Sequence, residues 1–566
     1  MKNRYTKWFG VSFLILITGT SMVVQFKGSI SFSHYTVLFS PQELEQIAIE
    51  IANGLIGEAI GDSNFVKWPR IADGPPPGWL GSWNNFYYGY WWGTAGVADT
   101  LITLFDATQN QSYLKYAERA GNYLIQNAQN LSDNGIYWYG AEDYSTTYIG
   151  MKYGNAGIAL FFLDLLKSTN NQTYYEPLRN SLLTLEAVAH NSSDNDTFWS
   201  YTLSGSEGVT DITYGVTGIA NVFLEAGVTL NNTHWIDIAV SSGEWLTKLA
   251  SKIGTDEQQE WSIPWSDFAP FNTSFFTGYG GGNAGIGSFL LSLYRSTNDS
   301  KWLDAASFIG NWLLSKQING TWLNGGPTYI TELDPNSTRY HTIAGIDSGV
   351  AGIGQFLLEL YHTTADMKYA EGAIDAASWL IGHANNSDQG LKWAKTTAEP
   401  DYNTYFTGYS SGAAGIGSFF AETYSAFGCE KFKNAMLGAA EWLVSLRKDG
   451  YLFPVATGTT RHPFHLKQYG HHLGYHSGAA GVALYFLKVA ESLQATPKYP
   501  EIINCSALPE FGEMLPQIYI DNQSSETTVN GQIDNDEQLL LSLLGFASVS
   551  MLLLIPILAL RRKDAI

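Results

Sequence analysis

Cysteine is nearly missing from this 566-residue chain: Cys429 and Cys505 are the whole supply, so no disulfide framework can hold the fold. The two can pair in an oxidising compartment or stay as separate thiols, and the sequence does not choose between these. Positive charge is also scarce. Lys and Arg total 31 against 52 Asp and Glu, which leaves a net charge of −21 and an isoelectric point near 4.9. Such a chain has no basic face with which to displace counterions, and nucleic acid is therefore not expected as a partner. Charge of either sign makes up only 15% of residues, whereas 45% are hydrophobic and 14% aromatic. So much apolar surface describes an ordered globule, not a solvated acidic tail.

Long apolar runs are confined to the two ends. Lys2, Arg4 and Lys7 precede the stretch from Trp8 to Val24, which reads as a secretory signal or signal anchor over 1–29. From Leu539 to Leu560 about 22 residues carry no charge and are followed by Arg561, Arg562 and Lys563, a stop-transfer pattern long enough to span a bilayer. The expectation is a single-pass protein of the cell membrane, anchored through 539–560. Its ectodomain would be extracytoplasmic and its tail, 561–566, cytoplasmic. Thirteen Asn-X-Ser/Thr sequons, from Asn110 to Asn522, agree with a glycosylated outer surface.

Between the ends the dominant feature is repetition. A Gly-x-x-Gly followed by small and apolar residues occurs seven times, starting at Gly93, Gly154, Gly215, Gly282, Gly349, Gly412 and Gly478, with successive starts 61 to 67 residues apart. Each pair opens an apolar run at helical spacing, such as Ile286, Leu290, Leu293 and Tyr294. A polar turn and a second amphipathic helix follow, as with Trp302, Ala305, Ile309 and Trp312. Length alone would suggest several domains, but seven helical hairpins describe one. Thirty residues after the first glycine, five second helices carry Tyr123, Trp245, Trp312, Trp379 or Trp442 before a Leu. The seventh unit has Leu508-Pro509 there, so it lacks a second helix. An amphipathic segment from Pro41 to about Ile60 is left over to fill that slot if the units close into a ring. The fold expected is therefore all-α: a closed α/α toroid of seven inner and seven outer helices over 40–508, then an acidic stalk over 509–538.

The helix starts converge on one mouth, so residues just before each glycine pair are the candidates for function. Tyr90, Trp91, Tyr153, Tyr214, Tyr279, His341, Tyr409 and Tyr475 would form an aromatic cup suited to the C–H faces of a glycan or to peptide side chains. Asp211, Asp347 and His476, each within four residues of a pair, are the candidate acid/base groups. The helix amides at that mouth would add sites for electron-rich groups. A histidine-rich run, His462 to His476, matches no common ligand spacing, and no metal site is expected there.

Tyr153-Gly154-Asn155-Ala156-Gly157-Ile158, Gly412-Ala413-Ala414-Gly415-Ile416 and Gly478-Ala479-Ala480-Gly481-Val482 resemble the lanthionine synthetase C-like (LanC-like) family over roughly residues 40–500. The resemblance implies an α/α toroid and, in the family's cyclases, a zinc ion held by two Cys and one His that activates a peptide thiol. This sequence departs at those places, with Asp347-Ser348 and Ser410-Ser411 where the ligands would stand and Gly281 in place of a catalytic His. Zinc and lanthionine cyclisation are thus not expected. Two readings stay open: binding or processing of an extracellular glycan or peptide in the cup, or a non-catalytic structural or receptor-like surface protein.

Overall fold

The computed structural model describes residues 39–72, 86–131, 134–142, 146–253, 259–268, 272, 274–322, 342–396, 404–458 and 470–513, all within the unit Met1–Leu515. Among them the seven inner helices are α2 (Thr94–Thr108), α4 (Asn155–Thr169), α6 (Val216–Leu230), α8 (Asn283–Thr297), α10 (Val350–Thr364), α12 (Ala413–Phe427) and α14 (Ala479–Gln494). The outer helices are α1 (Pro41–Gly57), α3 (Gln111–Asn127), α5 (Tyr175–Ala187), α7 (Thr233–Leu249), α9 (Ser300–Ser315), α11 (Met367–Gly382) and α13 (Glu430–Leu446).

Each inner helix touches the next, and α14 touches α2, so the inner layer is a closed ring. The leading helix α1 packs along α14 as the seventh outer helix. It starts at a capping box formed by Ser40 and Glu43 and buries Leu44, Ile47, Ile51 and Leu55. Its seam with the end of the chain is tied by Arg447 Nη1 to Glu50 Oε2 at 2.8 Å and by Tyr451 OH to Glu58. Beyond it Leu473 N–H donates to Arg70 C=O at 3.0 Å and Ala72 N–H to His471 C=O at 3.0 Å, so the approach to the first repeat pairs with the approach to the last.

Hairpin turns follow one recipe. Six inner helices end on a residue in the left-handed region, among them Asn170 (φ 51°), Ala365 (φ 57°) and Gly428 (φ 68°), which reverses the chain into the outer helix. The seventh ends on Ala495 in extended backbone, and no outer helix follows among the described residues. Instead, residues 495–513 run back beneath the ring. Cys505 is joined there to Cys429 at the start of α13 by a disulfide with Cα atoms 5.7 Å apart, and Gly512 N–H donates to Ile381 C=O at 3.1 Å. Residues 509–513, expected as stalk, thus pack on the ring.

Connectors from outer to inner helices contain short antiparallel strand pairs, such as Gln129–Asn130 with Ile136–Tyr137 and Asn385–Ser387 with Gly390–Lys392. A buried tryptophan locks five of them to the end of the outer helix. The indole N–H of Trp68, Trp138, Trp199, Trp322 or Trp393 donates to Leu55, Leu124, Leu185, Leu313 or Leu380 C=O at 2.6 to 2.8 Å. Among the described residues no helix is long and apolar enough to cross a membrane. The segments 1–29 and 539–560 lie outside them.

Candidate functional site

The two glycines of each pair are required by backbone approach. The loop before each inner helix doubles back over the helix start, so that a Cβ on the second glycine would overlap the carbonyl oxygen of the residue three before the pair, as Gly352 would with Ile346. The same doubling back occupies the helix amides. Thr94 N–H donates to Tyr87 C=O (2.9 Å), Ala156 to Ile149 (3.0 Å), Val350 to Ile343 (2.9 Å) and Ala479 to His472 (3.0 Å). The expectation that these amides serve a ligand is corrected on this point: loop carbonyls already satisfy them.

What the loops present to the axis is set by a second pattern. The residues two before each pair form a continuous circle of backbone hydrogen bonds. Trp91 N–H donates to Lys152 C=O (3.1 Å), Lys152 to Thr213 (3.0 Å), Thr213 to Gly280 (3.2 Å) and Gly280 to Asp347 (2.6 Å). Asp347 continues to Ser410 (2.9 Å), Ser410 to His476 (3.0 Å), and His476 returns to Trp91 (3.0 Å). One residue per repeat therefore meets its neighbours around the axis at this mouth, and all but Gly280 carry a side chain.

Lys152 is the centre of that group. Only 5% exposed, its ammonium donates to Tyr214 OH at 2.5 Å and lies 4.6 to 5.2 Å from the ring centres of Trp91, Trp92, Tyr153 and Tyr214. Burial pushes its pKa down to about 8, opposed by the charges of Asp347 and Asp211. The Asp347 carboxyl is held above the usual range by burial, although Lys152 pulls it down. It folds into the space that a side chain at Gly280 would fill. The His476 imidazole stacks on Trp91 with centroids 3.8 Å apart, and burial, then Lys152, His472 and Arg70, hold it well below its ordinary pKa, hence neutral at pH 7.

Of the expected acid/base trio, Asp347 and His476 reach the axis and Asp211 sits beside them in a different register. Asp211 occupies the fourth place before its pair, where the other six units have glycine packed on the next loop. It is 1% exposed. Its oxygens accept from Tyr214 N–H and Trp265 Nε1–H, both at 2.6 Å, and burial raises its pKa to about 6. Such a carboxyl orders the loop that carries Tyr214, the partner of Lys152.

The aromatic candidates divide into two layers. Trp91, Tyr153 and Tyr214 surround Lys152. Tyr90, Tyr279, Tyr409 and Tyr475, three places before their pairs, instead pack over the second glycine of the following unit and fill the lumen beneath the circle. Tyr475 meets Tyr90 at 5.4 Å and Tyr409 at 5.3 Å, and Tyr279 OH lies 3.1 Å from Ser288 Oγ. These four form a floor rather than a cup wall. His341, His462 and His465 lie outside the described residues. His472 is buried and pairs through Nδ1 with Ser477 Oγ at 2.8 Å. Arg70, over the Trp92 ring at 3.8 Å, joins the site from the chain before the first repeat, and the Trp92 indole N–H is buried without a partner. Sequence reasoning gave no role to Lys152, which stands just before the second pair, or to Arg70. Aligning the seven loops at the second residue before each pair would have placed Lys152 with Asp347 and His476.

The profile described as Lanthionine synthetase C-like protein matches residues 35–248, 93–339 and 327–508. The chain belongs to the LanC-like family. Among solved structures, it is similar to nisin cyclase, with 13% identity over 80% of this chain and 99% of that one and a TM-score of 0.45. It is also similar to cellobiose 2-epimerase from Bacillus thermoamylovorans B4167, with 10% identity over 80% and 99% and a TM-score of 0.47. A sugar epimerase from a ruminal bacterium gives 8% identity over 80% and 98% and a TM-score of 0.48. A search of curated proteins gives no match. In this LanC-like chain the side chains at the axis do not fit a thiolate-activating zinc. They offer one carboxyl, the hydroxyls of Ser410 and Ser411 3.2 Å apart and a neutral imidazole, and the Lys152 ammonium stands among them.

Proposed function

We propose that this LanC-like toroid binds and processes a glycan or peptide at the mouth where the inner helices begin, by proton transfer among Lys152, Asp347 and His476. The observation that carries the reading is the circle of backbone bonds, which holds three perturbed ionisable groups against one axis. A lysine near pH 8, a neutral imidazole and a carboxyl with raised pKa supply donors and acceptors of protons at neutral pH, and enzymes tune such groups by burial in this way. Arg70 and the unpartnered Trp92 N–H offer hydrogen bonds to a ligand oxygen. The chemistry requires no cofactor.

The reading extends to place. The protein is anchored through 539–560, with the toroid outside the cytoplasm. In support, ten of the eleven described sequon asparagines are exposed, and residues 76 apart in sequence form a disulfide.

The test is turnover by purified full-length protein of polysaccharide and peptide panels read by mass spectrometry, beside Lys152→Met and Asp347→Asn. Activity that disappears in both folded variants supports the proposal. No turnover anywhere favours the second reading, a non-catalytic receptor-like toroid. One observation leans that way: His476 and Lys152 both pack against the Trp91 ring.

A further inference from the structure

Below the tyrosine floor the lumen opens again toward the inner-helix C-termini. There α10, α12 and α14, with the returning segment after α14, line an open cavity of about 700 Å³. Charged side chains from three helices line it, and they are ordered before any ligand arrives. Glu359 accepts from Arg295 Nη1 at 2.7 Å and from Ser288 Oγ at 2.6 Å. Glu422 accepts from Gln355 Nε2 at 3.1 Å and pairs with Lys488. The side chains of Glu359, Glu422 and Lys488 are 24%, 24% and 31% exposed. Ten places after the first glycine, five of the seven units carry a charged residue: Asp164, Glu225, Glu359, Glu422 and Lys488.

The lining carries three carboxylates, Glu359, Glu422 and Glu491, and two ammoniums, Lys488 and Lys498, with the His362 imidazole as its one ring. A neutral saccharide would leave these charges without a counter-charge, and an ion of one sign would meet repulsion from the groups of its own sign. A molecule carrying an ammonium and a carboxylate a few ångströms apart satisfies both sets. We propose that this cavity is a second ligand site, for a free amino acid or short peptide zwitterion, with its ammonium on Glu359 and Glu422 and its carboxylate on Lys488 and Lys498. The fourth wall belongs to the returning segment. Lys498 N–H donates to Ser425 C=O at 3.1 Å, Tyr499 N–H donates to Ala426 C=O at 2.6 Å, and the Cys429–Cys505 disulfide holds the segment in place. The tyrosine floor separates this site from Lys152, so it stands or falls independently of the activity proposed above.

Saturation-transfer NMR on the full-length protein, with pools of free amino acids, dipeptides and neutral disaccharides, tests the assignment. Saturable binding of at least one zwitterion is expected. Acetylating its amine and amidating its carboxylate should weaken binding tenfold or more, and so should Glu422→Gln combined with Lys488→Met. Lys498→Ser, on the exposed segment, gives a second reading in a variant whose helices are untouched, with a loss of threefold or more expected. The assignment is overturned if no zwitterion binds, if a disaccharide binds as well as the best zwitterion, or if binding survives Lys498→Ser at full strength.

Discussion

The backbone amide of His476 donates to the carbonyl of Trp91 at 3.0 Å while the two rings stack 3.8 Å apart, so the last repeat is bonded to the first through the residues that face the axis. Closure and site are thus one feature. A circle of seven amides fixes each loop against its neighbours, and the side chains on that circle have no freedom to leave the mouth.

The glycine pairs should be intolerant in proportion to the contact each makes. A Cβ at Gly352 would overlap the Ile346 carbonyl and lie 2.8 Å from Tyr279 Cβ, whereas a Cβ at Gly281 meets nothing within 4 Å. Gly352→Ala is expected to cost about 2–4 kcal/mol and Gly281→Ala less than ~0.5 kcal/mol, measured by denaturant unfolding.

Ala365 holds a left-handed turn (φ 57°) that its counterpart Gly428 adopts freely. Ala365→Gly should raise stability by about 0.5–1 kcal/mol, seen as a higher Tm. An unchanged or lower Tm would show that the turn is not strained.

Lys152 should impose a pH-dependent cost on the fold. Its pKa falls from 10.5 to about 8 on burial, so between these values the unfolded chain binds the additional proton. Stability should therefore rise as pH goes from about 8 to about 10.5, by up to ~3 kcal/mol, with the full cost present below pH 8. Lys152→Met should lack this rise when the two proteins are compared by thermal unfolding across that range.

The disulfide between Cys429 and Cys505 spans 76 residues and ties the returning segment to α13. Cys505→Ser should lower stability by about 2–4 kcal/mol under non-reducing conditions. The same variant in the presence of reductant should match the reduced wild-type protein. Thiol counting by mass spectrometry should find no free cysteine in the native chain.

The ring was legible because its signals are local and repeated. Spacing alone located all seven inner helices, and Leu508-Pro509 exposed the vacancy that α1 fills. What the sequence hid is non-local. Nothing in Tyr90 or Tyr475 announces that it will sit on the second glycine of another unit, because that seat, Gly157 for Tyr90 and Gly96 for Tyr475, lies in a different repeat. Asp211 looked equivalent to Asp347, yet two residues of register put one among hydrogen bonds below the loop and the other on the axis. Lys152 was left without a role because an ammonium gains its chemistry only from the four rings around it.

Amide hydrogen exchange at His476 tests closure most directly. In the closed toroid its N–H should be protected as strongly as those of Trp91, Lys152, Thr213, Gly280, Asp347 and Ser410, because all seven belong to one circle. Exchange at the rate of an unbonded amide at His476 alone, with the other six still protected, would mean an open superhelix and would contradict the account.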